Sequence, residues 1–387
     1  MGRVVTSDLA DEYRTTDKTN LSLKTSIISV VPSPYQRDMF RAIAAREEID
    51  LQVYYLEDAA PDSPWEKTPL EAWEHILPGV CIGKGRIRSH VNWKLPTLTE
   101  QDFVIVNTSL TDVTTQRLLR RCQKMGPSSK WIFWGELIRR GEGITERIRQ
   151  TCSAPLKNLN AIVAIGKQAQ ADYQSRFANL SVHNLPYHCV LEPFVQASES
   201  REQNLAEGAP VRFLFCGQMI HRKGVDVLLN AFQSLVEQNR NVSLSLVGRE
   251  AELPQFLKSV SKEAQERIEF HGFQSVDALP AFFAEADVFV LPSRHDGWGV
   301  VINQAIGAGL PVISTDRVGA ALDLIQNEVN GIIVPAGEEP ALLAAMNRLA
   351  SEHELRAEMR KANEVSRQDL TPAAGAKKWL NILNRLN

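Results

Sequence analysis

A chain of 387 residues has room for one to three domains, and two is the expected number. With 44% apolar and 23% charged residues it has the composition of a soluble globular protein, and a formal net charge of −3 gives no overall attraction to nucleic acid. Five cysteines, an odd number without a CxxC or zinc spacing, fit a reducing compartment better than a disulfide framework, which points to the cytoplasm.

No apolar run reaches the roughly 18–20 residues that a membrane helix needs. Residues 1–24 are polar, carry no signal-peptide core and are expected to be a flexible lead-in. An N-terminal domain is expected over 25–195. Ser26 to Pro32 is an apolar run closed by proline, a buried strand, and Pro32-Ser33-Pro34-Tyr35 turns into a helix over Gln36 to Ala45. Leu51 to Leu56 is the next strand, so the chain opens as strand, helix, strand, the start of a parallel α/β layer. From Glu57 to Leu98 the pattern fails, and short elements or a flap are expected there. Strands return at Phe103 to Asn107, Trp131 to Trp134, Ala161 to Ile165 and Val182 to Leu185. Helices are expected over Val113 to Lys124 and Lys167 to Phe177.

Residues 80–150 hold 13 Lys and Arg against 6 Asp and Glu, an excess of +7. Solvated helix faces account for this. So would a surface for anionic lipid head groups at the inner face of a membrane, or for a pyrophosphate-bearing acceptor.

Residues 196–210 are polar and read as a linker to a second domain over 211–365, with 366–387 a C-terminal helix crossing back to the first. Strand Val211 to Cys216 leads through Gly217-Gln218-Met219-Ile220-His221-Arg222-Lys223-Gly224 into a helix over Val225 to Gln238. Strand Val242 to Val247, a helix over Glu252 to Ala264, strand Ile268 to Phe270 and a helix around Val276 to Glu285 follow. Strand Ala286 to Leu291 enters the central stretch, Pro292 to Ala305. Strands at Pro311 to Ser314 and Ile332 to Pro335 and a helix over Pro340 to Ala350 complete the set. Two successive sets of this kind imply two Rossmann-like domains with a cleft between them.

Several residues could carry chemistry. In the central stretch, Gly297 and Gly299 let backbone approach a ligand, and a loop entering a helix presents N–H groups and a positive dipole end suited to phosphate. A packing turn would look the same. Asp296 offers an acceptor for sugar hydroxyls. Lys223, with Arg222 beside it, is a cation at a strand-to-helix turn, able to meet a diphosphate. Phe273, in His271-Gly272-Phe273 at a strand's carboxyl end, could hold a nucleobase. Gly319-Ala320 marks another loop entering a helix. Glu136 follows strand Trp131 to Trp134 and could hold an acceptor hydroxyl, although a structural role fits equally. No Walker A, strand-borne GxGxxG, GxSxG or HExxH occurs, which removes the simplest ATPase, NAD-dehydrogenase and hydrolase readings.

Taken together, Gly217 through Gly224, His271-Gly272-Phe273, Ala286 through Ser293, Asp296-Gly297-Trp298-Gly299, Gln304-Ala305, Gly309 through Ile313, Asn330-Gly331 and Pro335 resemble the retaining, nucleotide-sugar-dependent glycosyltransferases of family 4. The resemblance is strong over about 211–350 and implies an α/β, two-domain GT-B fold. It implies a UDP- or GDP-sugar donor, a glycan or lipid-linked acceptor, and no cofactor and no metal beyond the donor itself. It further implies catalytic roles for Asp296 and Lys223, to which Glu136 is added as a carboxylate at a strand end facing the cleft. Donor contacts would come from Gly217, Gln218, Arg222, Lys223, Phe273, Arg294, Gly297, Trp298, Gly299 and Gln304. The family usually has two glutamates separated by seven intervening residues where this chain has Asp296 and Gln304, and commonly an arginine where it has Gln218. Asp296 keeps its charge. Gln304 can bond a ribose diol but brings none, which is expected to lower donor affinity. A weakened nucleotide-sugar-binding scaffold, or an epimerase on the same fold, are the rival expectations.

Overall fold

In the computed structural model, residues 22–59, 67–84, 87–122, 129–138, 143–201 and 208–387 are described. The strands are β1 (Leu23–Ser29), β2 (Ile49–Tyr55), β3 (Glu74–Ile76), β4 (Gly79–Lys84), β5 (Ile87–Asn92), β6 (Phe103–Asn107), β7 (Lys130–Gly135), β8 (Ala161–Ala164) and β9 (Ser181–Asn184) in the first half. The second half holds β10 (Val211–Cys216), β11 (Val242–Val247), β12 (Ile268–Gly272), β13 (Val288–Leu291), β14 (Val312–Thr315) and β15 (Gly331–Val334).

The first half is a seven-stranded sheet in the order β3-β2-β1-β6-β7-β8-β9 and the second a six-stranded sheet in the order β12-β11-β10-β13-β14-β15. Their strand pairs are parallel. Helices cover both faces, so inner strands such as β6 and β13 read as continuous apolar runs. The five residues of β6 and the four of β13 are all buried. In each sheet the order reverses beside the first strand, between β1 and β6 and between β10 and β13. Such switch points open a crevice outside the carboxyl ends of the strands. The two crevices face each other, and the expected pair of Rossmann-like halves is present.

The stretch from Glu57 to Leu98 resolves into the short strand β3 and an antiparallel hairpin, β4–β5. Three expectations need correction. Leu23 and Lys24 already belong to β1, so the polar lead-in ends before them, and residues 1–21 lie outside the described residues. Glu192–Arg201 is a helix packed on the helix Leu279–Glu285, with Phe194 edge-on to Phe283 at 5.2 Å. The polar composition over 196–201 hid it. The single helix expected over Glu252 to Ala264 is broken into Leu253–Phe256, a 3-10 turn at Leu257–Ser259, and Lys262–Gln265. Val260 is extended there, and the Ser261 hydroxyl accepts from Ala264 N–H at 3.3 Å, starting the last turn afresh. Lys124, the expected end of one helix, lies outside the described residues; the helix runs Val113–Cys122.

The chain crosses between the halves twice. It leaves the first after β9 and returns in the helix Pro372–Leu386, which packs on the helix Pro34–Ala44. Trp379 lies edge-on to Trp134, with centroids 5.1 Å apart. The crossings touch: Cys189 N–H donates to Leu370 O at 3.2 Å. One buried apolar cluster runs from Ile27 through both halves to Leu383. Among the described residues no helix is long and apolar enough to cross a membrane.

Candidate active site

The C-terminal wall is made of two loops fastened to each other. After β10 the chain runs through Gly217 and Gln218 into a 3-10 turn, His221–Lys223, and then Gly224. Gly224 has φ +71°, and a Cβ there would lie 2.0 Å from Pro292 O, so no other residue fits without moving the second loop. The second loop follows β13. Arg294 N–H donates to Arg222 O at 2.9 Å, and Arg222 Nη1 donates to His295 O at 2.8 Å. Arg294 donates through Nη1 and Nη2 to the two Asp226 oxygens at 2.6 and 2.7 Å, and to His221 O at 2.7 Å. Burial raises the Asp226 carboxyl, but the Arg294 hydrogen bonds and charge outweigh it and hold the group below the usual range.

This stitching brings Lys223 and Asp296 together: Lys223 Nζ donates to Asp296 Oδ2, and both side chains are mostly shielded from solvent. Asp296 is fixed through its backbone, with its N–H on Arg317 O at 3.0 Å and its O accepting from Gly319 N–H at 3.3 Å. The expected loop-to-helix order holds, with the helix running Val301–Gly307. Gly299 turns with φ +90° between Leu291 and Val318.

Glu136 enters from the opposite half. It follows β7, and its Oε1 accepts from Tyr187 Oη at 3.2 Å, while its carbonyl accepts from Tyr173 Oη at 2.8 Å. Its Oε2 lies where a Cβ on Gly297 would come within 2.5 Å. A carboxylate of the first half is thereby seated against the Asp296–Gly297 backbone of the second. Burial pushes the Tyr187 phenol well above its ordinary value, and the neighbouring Glu136 charge adds to this. Tyr187 is therefore a neutral donor at ordinary pH.

Three cavities meet here. One of about 610 Å³ is lined by Gln36, Glu136, Tyr187, Arg222, Lys223 and Asp296 among others. A second, about 340 Å³, shares Tyr35, Gly217 and Gln218 with it and extends to Arg249 and Phe273. The third, about 510 Å³, shares Gln36, Glu136 and Tyr187 and runs into the first half past Asn107, Thr108 and Arg149.

Of the expected residues, Gly217, Gln218, Arg222, Lys223, Asp296, Gly297, Trp298, Gly299 and Glu136 gather around the central cavity, and Phe273 stands at the end of the second. Phe273 is half-exposed and carries the Arg249 guanidinium over its ring at 5.8 Å. Three residues sit differently from expectation. Arg294 is turned to Asp226 and holds the loops together. The ring of Trp298 is buried beside Gly166 and Tyr187, and its Nε1–H donates to Asn303 Oδ1 at 2.9 Å. Gln304 is 1% exposed and lies under Tyr35, its Nε2 donating to Tyr35 Oη at 3.3 Å and its buried Oε1 without a hydrogen-bond partner. Burial raises the Tyr35 phenol to about 12, so the hydroxyl that covers Gln304 is neutral.

Sequence reasoning passed over Tyr187 and Arg249. Arg249 follows Gly248 at the carboxyl end of β11, so its strand position was a usable signal. Tyr187 pairs with a residue 51 positions away and has none.

Residues 196–365 match the family described as glycosyl transferases group 1. An alpha-D-kanosaminyltransferase of Streptomyces kanamyceticus is 28% identical over 163 residues, 42% of this chain and 42% of that enzyme. The chain spans less than half the length of the curated relatives it matches. In solved structures the likeness covers nearly the whole chain. A sucrose-phosphate synthase from Thermosynechococcus elongatus superimposes with a TM-score of 0.68 at 19% identity, over 94% of this chain and 99% of that one. Anabaena HepE in complex with UDP gives 0.67 at 16% identity, over 94% and 100%. The fold is GT-B: two Rossmann-like halves facing across a cleft.

Proposed function

With a GT-B fold and a second half that matches the group 1 glycosyl transferases, we propose that this chain moves a hexose from a UDP- or GDP-sugar to a hydroxyl of a glycan or lipid-linked sugar, with retention of anomeric configuration. The observation that carries this reading is the Lys223–Asp296 pair, set in the cleft wall opposite Glu136. A diphosphate in the central cavity takes Lys223 as its counter-ion, with Arg222 alongside. Asp296, freed from Lys223, accepts from the donor sugar's hydroxyls. Charge develops on the leaving diphosphate as the glycosidic bond breaks. A fixed ammonium in a shielded cleft stabilises that charge without a metal. Glu136 and Tyr187 hold the acceptor hydroxyl from the other side. The nucleobase lies on Phe273 and Arg249. The reading fits the UDP bound in Anabaena HepE.

The reaction belongs in the cytoplasm, with peripheral contact to an anionic membrane and a place in cell-surface polysaccharide or glycolipid synthesis. In support, Val80, Ile82 and Trp93 are exposed within that basic stretch of the first half. A second reading has one observation in its favour. Gln304 brings no charge and is capped by Tyr35, as a weakened nucleotide-sugar-binding scaffold would allow.

The deciding experiment titrates UDP, GDP and their sugars by calorimetry, then follows donor turnover with an acceptor pool by NMR. Binding of one nucleotide family and a product with the donor's anomeric configuration are expected. Binding without turnover on any acceptor selects the scaffold, and an inverted product removes the retaining mechanism.

A further inference from the structure

The hairpin β4–β5 sets Cys81 directly opposite His90. Opposed residues of an antiparallel pair share a face, so these two point the same way. Their neighbours Val80 and Ile82 occupy the other face and are 51% and 62% exposed. The Cys81–His90 face is turned inward, toward Glu57, which follows β2, and Asp112, which precedes the helix Val113–Cys122.

His90 is 5% exposed and held firmly. Its backbone N–H donates to Asp112 Oδ2 at 2.7 Å, and its Nδ1 lies 2.6 Å from the same oxygen. A proton on Nδ1, donated to the carboxylate, leaves the Nε2 lone pair of the neutral imidazole pointing the other way. Nε2 is buried and has no hydrogen-bond partner; Glu57 Oε1 is 3.2 Å off but outside hydrogen-bond geometry. Here a Glu57 oxygen, Cys81 Sγ and a ring nitrogen of His90 all lie within 4.8 Å of one another, and it is Nε2 that stands 3.2 Å from Glu57 Oε1. Zinc bonds of about 2.0–2.3 Å in tetrahedral geometry place ligand atoms roughly 3.3–3.8 Å apart, so small side-chain shifts close this set.

We propose that Glu57, Cys81 and His90 bind a zinc ion that fastens the β4–β5 hairpin to the first sheet, with Asp112 orienting the imidazole. Thiolate, imidazole and carboxylate together are zinc donors, and a carboxylate on the far nitrogen of a ligating histidine is the usual support for such a site. Arg88 Nη2 bonds both Glu57 oxygens, at 2.8 and 2.6 Å. A carboxylate has lone pairs enough to keep Arg88 on one oxygen and give the other to the metal. Binding displaces the Cys81 thiol proton to solvent, and a water molecule from solvent takes the fourth position. The site is independent of the proposed transfer reaction. The competing account has no metal: a protonated His90 bridging Asp112 and Glu57.

The test uses the full chain, stripped with chelator and reloaded with zinc or cobalt. One zinc per chain should survive desalting, and cobalt should give a thiolate-to-cobalt charge-transfer band. Cys81→Ser should abolish the band and the retained zinc, while Cys122→Ser keeps both. Asp112→Asn should weaken zinc binding by about 10–100-fold. Zinc should raise the melting temperature of the wild type and leave Cys81→Ser at that of the metal-free protein, which also establishes that the variant folds. If Cys81→Ser does not fold, Glu57→Gln replaces it with the same expected loss. Zinc no higher than in a protein-free control, or full retention in the Cys81→Ser or Glu57→Gln protein, overturns the proposal.

Discussion

Lys223 and Asp296 answer each other's charge, so each has two partners to choose between once a diphosphate enters. Hydrogen bonds to charged groups contribute about 1.5–3 kcal/mol, and about 1.4 kcal/mol is tenfold in affinity. Lys223→Ala is therefore expected to weaken UDP or GDP binding by roughly 10–100-fold in calorimetry; unchanged affinity would remove the diphosphate from this position. Asp296→Ala should act on the other quantity. It unties Lys223 and leaves nucleotide affinity equal or stronger, while turnover falls by about 10²–10³, the usual loss for a group placed on the reacting centre. Activity near that of the wild type would exclude Asp296 from the sugar. Glu136→Gln keeps the Tyr187 contact but removes the charge. Its expected signature is lower transfer at constant nucleotide affinity, since Glu136 belongs to the half that does not carry Lys223. A parallel loss of nucleotide affinity would mean that Glu136 only braces the Gly297 loop.

The turns after β10 and β13 act as one element because Gly224 lets them touch. Gly224→Ala places a Cβ against Pro292 O at a positive φ, and roughly 3 kcal/mol of stability should go with it. Thermal melting would read this, and a melt equal to that of the wild type would show that the loops separate at no cost. These elements were legible in the residues for a physical reason. Phe213 to Cys216 in β10 and Val288 to Leu291 in β13 are buried throughout, so they stand out as apolar runs. The hairpin was not legible, because Gly79-Val80-Cys81-Ile82-Gly83-Lys84 mixes glycine with both faces of the alternation. The break at Ser261 was hidden by good helix formers on either side. At the site, Lys223, Asp296 and Phe273 were readable from their places at strand ends. The burial of Gln304 depends on Tyr35, a residue 269 positions away, and the role of Arg294 on its pairing with Asp226. Contacts of that kind leave no local pattern.

At the scale of the molecule, the returning helix Pro372–Leu386 ties the second half to the first. Trp379 is 1% exposed against Trp134, and Trp379→Ala should cost about 3–5 kcal/mol, measured by denaturant titration. A loss under 1 kcal/mol would mean the helix is docked by its ends alone. Beside it His188 lies buried, with Lys378 Nζ 3.2 Å from its Nε2. Burial and then the Lys378 charge push its imidazole down to about 4. Folding thus holds His188 neutral below the pH at which the unfolded chain, near 6.5, takes up a proton. Stability must fall as pH drops from 6.5 toward 4, by an amount on the order of 2 kcal/mol between pH 7 and pH 5. The difference in melting between those two values should shrink in His188→Gln, and an equal difference would assign the acid sensitivity to other groups. His188 also adjoins the two crossings, which are joined where Cys189 donates to Leu370. A single tether would let the halves swing, twist and slide. Two tethers bonded side by side restrict the twist and the slide, so opening and closing across the line of the crossings is the motion expected of the cleft. The distance from Glu136 to Lys223 is the coordinate that follows it, and one pair of labels across the cleft mouth would read it.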